Sequence, residues 1–397
     1  MSKMKIQRID YIPILFHLSK DGSEGQPLVE VIVKVETDNG LLGIGESSVQ
    51  RLYLGNTLAQ TCRILKLYDE VLHGVDPANF EQITKIMKAN WARSAPIARS
   101  VDEGVDMALY DLLGRAYGVP VYKLLGGANQ TKIELQTQLY HSDPAALADL
   151  AESYVKRGFH GVKIKTGVDL MTKGWSREVL DSEIKKMTAT LERVPRNILV
   201  DADSNQYWGT ARRAIDIVKS YDLEDYPNLA IEQPVNYFDI EGAAEVARSI
   251  SLPVILDETI LSPEILIEVI RRKAAHRIVI KPARVGGVYT ARKMITIAEA
   301  AGINVSLDTI PYSRIGDTAL CHLQATVKEP YPLDCEGFMW LKEDPIKSGG
   351  LKIVDGGFAE LPSSPGFGIE LDDAKIEEMR IDEDSVLSLD QAKGSQG

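Results

Sequence analysis

Six apolar runs in the middle of the chain end in charged residues: GVKIK in Lys163 and Lys165, ILVDAD in Asp201 and Asp203, LAIEQP in Glu232, PVILDE in Asp257, IVIKP in Lys281 and NVSLD in Asp308. Three successive acidic ends, with no cysteine or histidine among them, make a hard oxygen set of the kind that holds Mg²⁺ together with water or substrate oxygens. Left alone, such carboxylates repel one another, and a divalent cation relieves that repulsion. A single acid at a strand end is more often a helix cap. Three in a row, flanked by lysines, favour the metal.

Lys163 and Lys165 alternate onto one face of one strand, so each raises the cost of the other's charge and depresses a pKa, as a general base requires. Asp201 and Asp203 share a face in the same way, and parity alone does not choose between them. Asp257 and Glu258 are adjacent and are expected to point apart, so at most one of them joins the cluster. Lys281 falls four strands after the lysine pair, hence across a closed barrel. Two bases on opposite sides of one carbon can remove a proton from one face and return it on the other, which is the geometry of racemisation.

The elements that position these residues follow from the spacing. Successive charged ends from Lys165 to Asp308 are 24 to 38 residues apart, each followed by a helical pattern, which is the cadence of βα units in a parallel barrel whose active site lies at the C-terminal strand ends. A short strand at 333–338 (LDCEGF) closes it. Ahead of the barrel, Ile6–Ser48 reads as a three-stranded meander with a DNG turn, followed by helices over Leu58–His73, Asn79–Trp91 and Ser100–Tyr117. The expected architecture is α/β, a modified TIM barrel of (β/α)7β form with an N-terminal α+β capping domain. The boundaries are 1–128 for the cap, 129–342 for the barrel, and 343–397 for a segment packing back on the cap, with a frayed final dozen residues.

At 397 residues, 44% hydrophobic and 26% charged, the chain is long enough for a barrel plus an added domain and carries no stretch apolar enough to span a bilayer. Its start reads as a strand and not a signal peptide, which makes the cytoplasm the expected compartment. Cys62, Cys321 and Cys335 show no metal or disulfide spacing and are expected as small buried hydrophobes. A formal charge of −12 disfavours nucleic acid and anionic membranes as partners, leaving a small-molecule carboxylate substrate and a homo-oligomer as the expected associations.

At these residues the chain resembles the enolase superfamily, and within it the muconate lactonising enzyme subgroup. The resemblance runs through K-x-K at Lys163 and Lys165, DSNQYW at 203–208, IEQP at 231–234, LDET at 256–259 and KPARVGG at 281–287. It implies that Asp203, two residues before the Asn, is the first ligand of a Mg²⁺ ion, with Glu232 and Asp257 the second and third. It implies Lys165 as the base on one face with Lys163 its electrostatic partner, Lys281 as the base on the other, and Arg284 in support. The shared chemistry is removal of a proton α to a carboxylate, giving an enediolate that the metal stabilises.

Relatives that pair a histidine with an aspartate on the far side are disfavoured, since no histidine stands at a matching strand end. Where muconate lactonising relatives place a seventh-strand glutamate, this chain has Asp308 at the strand end and Tyr312 near the register, which makes muconate cycloisomerisation doubtful. Asp308 is a candidate for contacting a substrate amino group, and Tyr312 is a candidate substrate-binding residue beside it. The capping loops Leu18–Gln26, read as mobile, and Ser47–Asn56, with Arg51 and Tyr53, are expected to set specificity. Trp340 is read either as core or as the wall of a pocket for a cationic group. The leading function is a Mg²⁺-dependent racemase or 2-epimerase of an amino-acid derivative, N-substituted, cyclic, betaine or dipeptide. Elimination by an acid-sugar or hydroxyamino-acid dehydratase, or an o-succinylbenzoate-type synthase, is second, and a non-catalytic barrel third.

Overall fold

The computed structural model describes residues 4–20, 23–90, 98–334 and 339–382. Trp91, Cys335, the remainder of the closing strand at 335–338 and the final dozen residues lie outside them.

The cap begins with β1 (Ile6–Lys20), β2 (Ser23–Thr37) and β3 (Leu42–Ser48), an antiparallel meander in that order. Alternation gives it two apolar faces. Val31, Val33 and Val35 pack with the helices Leu58–Leu72, Phe80–Ala89 and Arg99–Tyr117, while Ile14, Phe16, Ile32 and Ile44 face the barrel's core. The glycines of LLGIGE permit the closest approach: a Cβ at Gly43 would lie 2.0 Å from the Ala108 carbonyl oxygen, and one at Gly45 2.1 Å from that of Gly104. The turn after β2 has Gly40 at φ +80°, as the DNG signal requires.

One expectation is corrected here. Leu18–Gln26 is not a free loop, because β1 and β2 continue into it and pair at Ser19–Glu24 and Lys20–Ser23, with only 21 and 22 outside the described residues. Polar composition marked the segment as a loop, yet a two-stranded ribbon satisfies its backbone groups by pairing whatever its side chains are.

The barrel strands are β4 (Lys132–Leu139), β5 (Gly161–Lys165), β6 (Leu199–Asp203), β7 (Leu229–Glu232), β8 (Val254–Leu256), β9 (Arg277–Ile280), β10 (Asn304–Leu307) and β11 (Leu333–Asp334). Each pairs in parallel with the next from β4 to β10. β11 closes the ring by pairing with β4 and through an Asp308–Asp334 bridge. Helices on the outside connect successive strands, giving the (β/α)7β barrel. Ala230, Ile255 and Val279 form a small apolar layer with Leu199.

After the barrel, β12 (Ile346–Gly349) pairs with β15 (Ile369–Leu371), and β13 (Lys352–Val354) with β14 (Phe358–Glu360). This segment contacts the cap, where Arg115 Nη2 donates to the Ile369 carbonyl at 2.8 Å and Ile381 N to that of Pro13 at 3.1 Å. It also extends the barrel sheet, since β14 lies antiparallel to β4. No helix among the described residues is long and apolar enough to cross a membrane.

Candidate active site

The strand-end acids are not the helix caps. Asp143, Ser176, Thr210, Asp239, Ser262 and Ser313 accept the first N–H bonds of six of the barrel helices. That leaves the carboxylates at the strand ends free for other work, and the register assembles them. Lys163 lies beside Asp201, Lys165 beside Asp203, and Asp203 beside Glu232. Pairing of Ile280 with Leu307 brings Lys281 and Asp308 to the next adjacent positions.

Within this ring the charges interlock. Lys163, fully buried, directs Nζ to Glu232 Oε1 and Asp308 Oδ2, both at 3.1 Å, and to Asp334 Oδ2 at 3.4 Å. Lys165 Nζ meets Asp203 Oδ2 at 2.5 Å. Across the mouth, Lys281 Nζ lies 2.8 Å from Asp308 Oδ2 and 3.2 Å from Asp257 Oδ2, and Arg284 Nη1 is 2.6 Å from Asp257 Oδ1.

The expectation that the two lysines depress each other's pKa is reversed in this arrangement. Burial pulls both down, but Asp308, Glu232 and Asp334 around Lys163, and Asp203 beside Lys165, outweigh it and hold both ammonium groups well above their ordinary range. Lys281 is likewise raised, burial being overcome by Asp257 and Asp308. Lysine parity counted only the cations; the neighbouring strands supply carboxylates whose attraction outweighs burial and the repulsion between the two ammonium groups.

Carboxylate oxygens of Glu232, Asp257 and Asp308 lie within 4.8 Å of one another, all buried. Glu232 Oε2 is buried with no hydrogen-bond partner. An orphaned carboxylate oxygen in an all-oxygen cluster fits a hard divalent cation, since a buried charge left uncompensated is costly. Asp308 meets Lys163 and Lys281 through Oδ2 alone, whereas Asp257 meets a cation at each oxygen, Arg284 at Oδ1 and Lys281 at Oδ2. The group that lies together is Glu232, Asp257 and Asp308 and not the expected Asp203, Glu232 and Asp257: Asp203 stands beside Glu232 in the register, with Oδ2 on Lys165 and Oδ1 accepting the Asn205 N–H at 2.8 Å.

A cavity of about 660 Å³ opens over the ring, with Lys165, Arg284 and Glu258 at its inner end and Tyr53, Met171, Tyr207 and Tyr237 among its walls. β8 ends at Leu256, and of the adjacent pair that follows, Asp257 joins the carboxylate group while Glu258 lines the cavity. Glu258 Oε1 accepts from Asn205 Nδ2 at 3.1 Å and Oε2 is unpartnered; burial, with Asp257 and Asp203 adding to it, raises its pKa. Gln233 braces this turn: its Oε1 accepts the N–H groups of Asp257 at 3.0 Å and Thr259 at 3.2 Å. Asn205, Gln206 and Gln233 all take positive φ, so the backbone at the ends of β6 and β7 is held where few non-glycine residues settle.

Of the other residues singled out from sequence, Tyr53 lines the cavity and is largely exposed. Arg51 opens a one-turn helix, Arg51–Leu54, beside it. Tyr312 is not at the cavity: it is fully buried and its hydroxyl donates to Glu103 Oε1 at 2.6 Å. Trp340 is core, its indole Nε1 donating to the Tyr154 hydroxyl at 3.4 Å. Asp308 bridges lysines within the ring. Sequence reasoning missed Glu258 as a cavity residue, and with it Arg99 and Tyr140, which also line the space. Adjacency in LDET was the available signal for Glu258, while nothing local marked the other two.

An eight-stranded barrel with a capping domain, carrying lysines and a carboxylate ring at its C-terminal mouth, defines a class of capped-barrel enzymes. The chain belongs to the enolase superfamily, in its muconate lactonising enzyme-like subgroup: the family model "Enolase C-terminal domain-like" matches residues 146–375, and "Mandelate racemase / muconate lactonizing enzyme, N-terminal domain" matches residues 10–126. It is similar to the hydrophobic dipeptide epimerase of Enterococcus faecalis (31% identical, covering 85% of this chain and 90% of that one). It is similar also to the N-succinyl-L-Arg/Lys racemase of Bacillus cereus (29% identical, covering 90% and 91%). Among solved structures, the dipeptide epimerase from E. faecalis V583 complexed with Mg and the dipeptide L-Leu-L-Tyr superposes with a TM-score of 0.82 at 28% identity, covering 92% of this chain and 99% of that one. Other matches include a cis-3-hydroxy-L-proline dehydratase and chloromuconate cycloisomerases, so the relatives are chiefly racemases and epimerases with lyases second.

Proposed function

We propose that this chain is a Mg²⁺-dependent racemase or 2-epimerase of an amino-acid-derived carboxylate, whether N-substituted, cyclic, betaine or dipeptide. The observation that carries the reading is the placement of Lys165 on β5 and Lys281 just beyond β9, four strands apart in an eight-stranded ring, with the carboxylates between them. The epimerase and racemase relatives support the same class.

Asp203, Glu232 and Asp257 would hold the metal, with Arg284 anchoring Asp257. When bound, Mg²⁺ supplies positive charge beside the substrate carboxylate as the α-carbon loses its proton. Lys165 and Lys281 are tied to Asp203 and to Asp257 and Asp308. With their charge drawn to a cation, Asp203 and Asp257 would hold the two ammonium groups less tightly, and each lysine, as the neutral amine, would then exchange a proton with the α-carbon. Lys165 takes the proton on one face and Lys281 delivers one on the other; the roles reverse for the opposite isomer. Lys163, surrounded by three carboxylates, remains a fixed cation that offsets their charge.

A second reading, elimination, draws on Glu258. Its carboxyl is raised by burial, lines the cavity and keeps one oxygen free, as an acid protonating a departing hydroxyl would. A library of N-succinyl amino acids, cyclic amino acids, betaines and dipeptides, followed by polarimetry and proton NMR with Mg²⁺, separates the two. Interconversion of an isomer pair supports racemisation, whereas an unsaturated product with loss of water transfers the site to the dehydratase reading.

A further inference from the structure

The cap grips the barrel around one of the two lysines. On the helix Arg99–Tyr117, residues 99, 103 and 106 share a face at i, i+4 and i+7. Arg99 Nη1 donates to the Leu261 carbonyl at 2.6 Å and to that of Arg284, three residues beyond Lys281, at 3.1 Å. Glu103 Oε1 accepts the Tyr312 hydroxyl at 2.6 Å. Asp106 Oδ2 accepts the Tyr289 N–H at 3.0 Å, at the start of the helix Val288–Ala300, where unpaired N–H groups favour a carboxylate. The glycines that close KPARVGG allow this approach: Gly287 has φ +107°, and a Cβ there would lie 2.7 Å from the Asp106 carboxyl.

Tyr312 is the joint between this face and the charged ring. Its ring packs with Ala283, Ile310 and Leu54. Ala283 is two residues after Lys281 and Ile310 two after Asp308, the carboxylate that holds Lys281. Glu46 of the cap fixes the residues that follow, accepting from Ser313 N at 2.7 Å, Ser313 Oγ at 2.6 Å and Gly316 N at 2.8 Å. Lys165 is held differently, by the pairing of β5 with β4 and β6 and by Asp203.

We propose that the Arg99–Glu103–Asp106 face of the cap helix, acting through Tyr312, is the positioning element of Lys281, so that the cap sets one base while the sheet sets the other. The proposal rests on the two-base reading above. None of these groups touches the reacting carbon; they act on where the Lys281 ammonium stands, and displacement of a reacting group is costly to rate.

The test uses the full-length, Mg²⁺-loaded protein in D₂O. N-succinyl-L-lysine and N-succinyl-D-lysine are supplied separately as probes, or, if these are inert, the pair turned over in the library. The isomer whose α-proton faces Lys281 is the one whose exchange Lys281→Ala abolishes. Tyr312→Phe removes only the hydroxyl. It is expected to slow exchange into that isomer by at least about tenfold and to leave the other within about twofold, with KM unchanged. Glu103→Gln, which keeps an acceptor for the hydroxyl, stays near wild type on both faces, and Glu103→Leu repeats the Tyr312→Phe pattern. An equal fall on both faces, or none on either, overturns the proposal. Exchange by the wild type into only one isomer instead overturns the two-base reading itself.

Discussion

Lys165 and Lys281 carry different predictions because they sit on different carboxylates. Lys165→Ala is expected to abolish interconversion and deuterium exchange into one isomer while exchange into the other continues, and Lys281→Ala to give the mirror result. Proton NMR of each isomer in D₂O reads both, and loss of exchange into both isomers in either variant contradicts independent bases. Asp308→Asn removes the charge shared by Lys163 and Lys281, so its loss should fall on kcat more than on KM. Much at this scale was legible. K-x-K, DSNQYW, IEQP and LDET name residues that the structure gathers in one ring, while the choice of Asp203 over Asp201 as a ligand rests on the resemblance. Asp308 as a lysine bridge was not legible, because β10 and β5 are far apart in sequence and meet only through ring closure. Tyr312 was misread for a related reason: its partner, Glu103, lies in another domain.

At the scale of elements, period and punctuation located the strands and helices, and failed where an element ends early. β8 stops at Leu256, so the pleat does not run through Asp257 and Glu258, and local pattern did not mark Glu258 as a wall of the cavity while Asp257 joined the carboxylate group. The ribbon at Leu18–Gln26 shows the opposite error, a strand running on into polar sequence. The helix Arg314–Gln324 offers a pH test. His322 is fully buried, its Nδ1 accepts the Tyr122 N–H at 3.2 Å, and its ring stacks on Tyr122 and meets the edge of Phe367. Burial pushes its pKa down to about 3. Between an ordinary histidine value of about 6.5 and that depressed value, the unfolded chain takes a proton that the fold refuses. The His322 contribution to stability is therefore present above that window and lost as pH falls through it, by at most about 1.4 kcal/mol per pH unit. NMR should find the imidazole still neutral at pH 5; titration near its ordinary value contradicts this burial.

Over the whole molecule, the cap, barrel and C-terminal segment share one core cluster. Barrel cadence was readable from sequence because βα units repeat locally. The contacts joining cap to barrel were not, since Glu46, Glu103 and Asp106 read locally as ordinary helix or strand acids. Metal is the prediction proper to this scale. Mg²⁺ binding at Asp203, Glu232 and Asp257 is expected to appear as one site by calorimetry and to stabilise the fold by about 2.7 kcal/mol at a hundredfold excess over Kd. Glu232→Gln should abolish both effects, and an unchanged melting temperature with Mg²⁺ contradicts the assignment.

The central claim is that two lysines work on opposite faces of one carbon, and incubation of the wild-type, Mg²⁺-loaded protein with a single stereoisomer in D₂O tests it most directly. Proton NMR is predicted to show deuterium entering the α-carbon of both the inverted product and the returned starting isomer. Loss of water with no deuterium in recovered substrate, or inversion with the original proton retained, would contradict it.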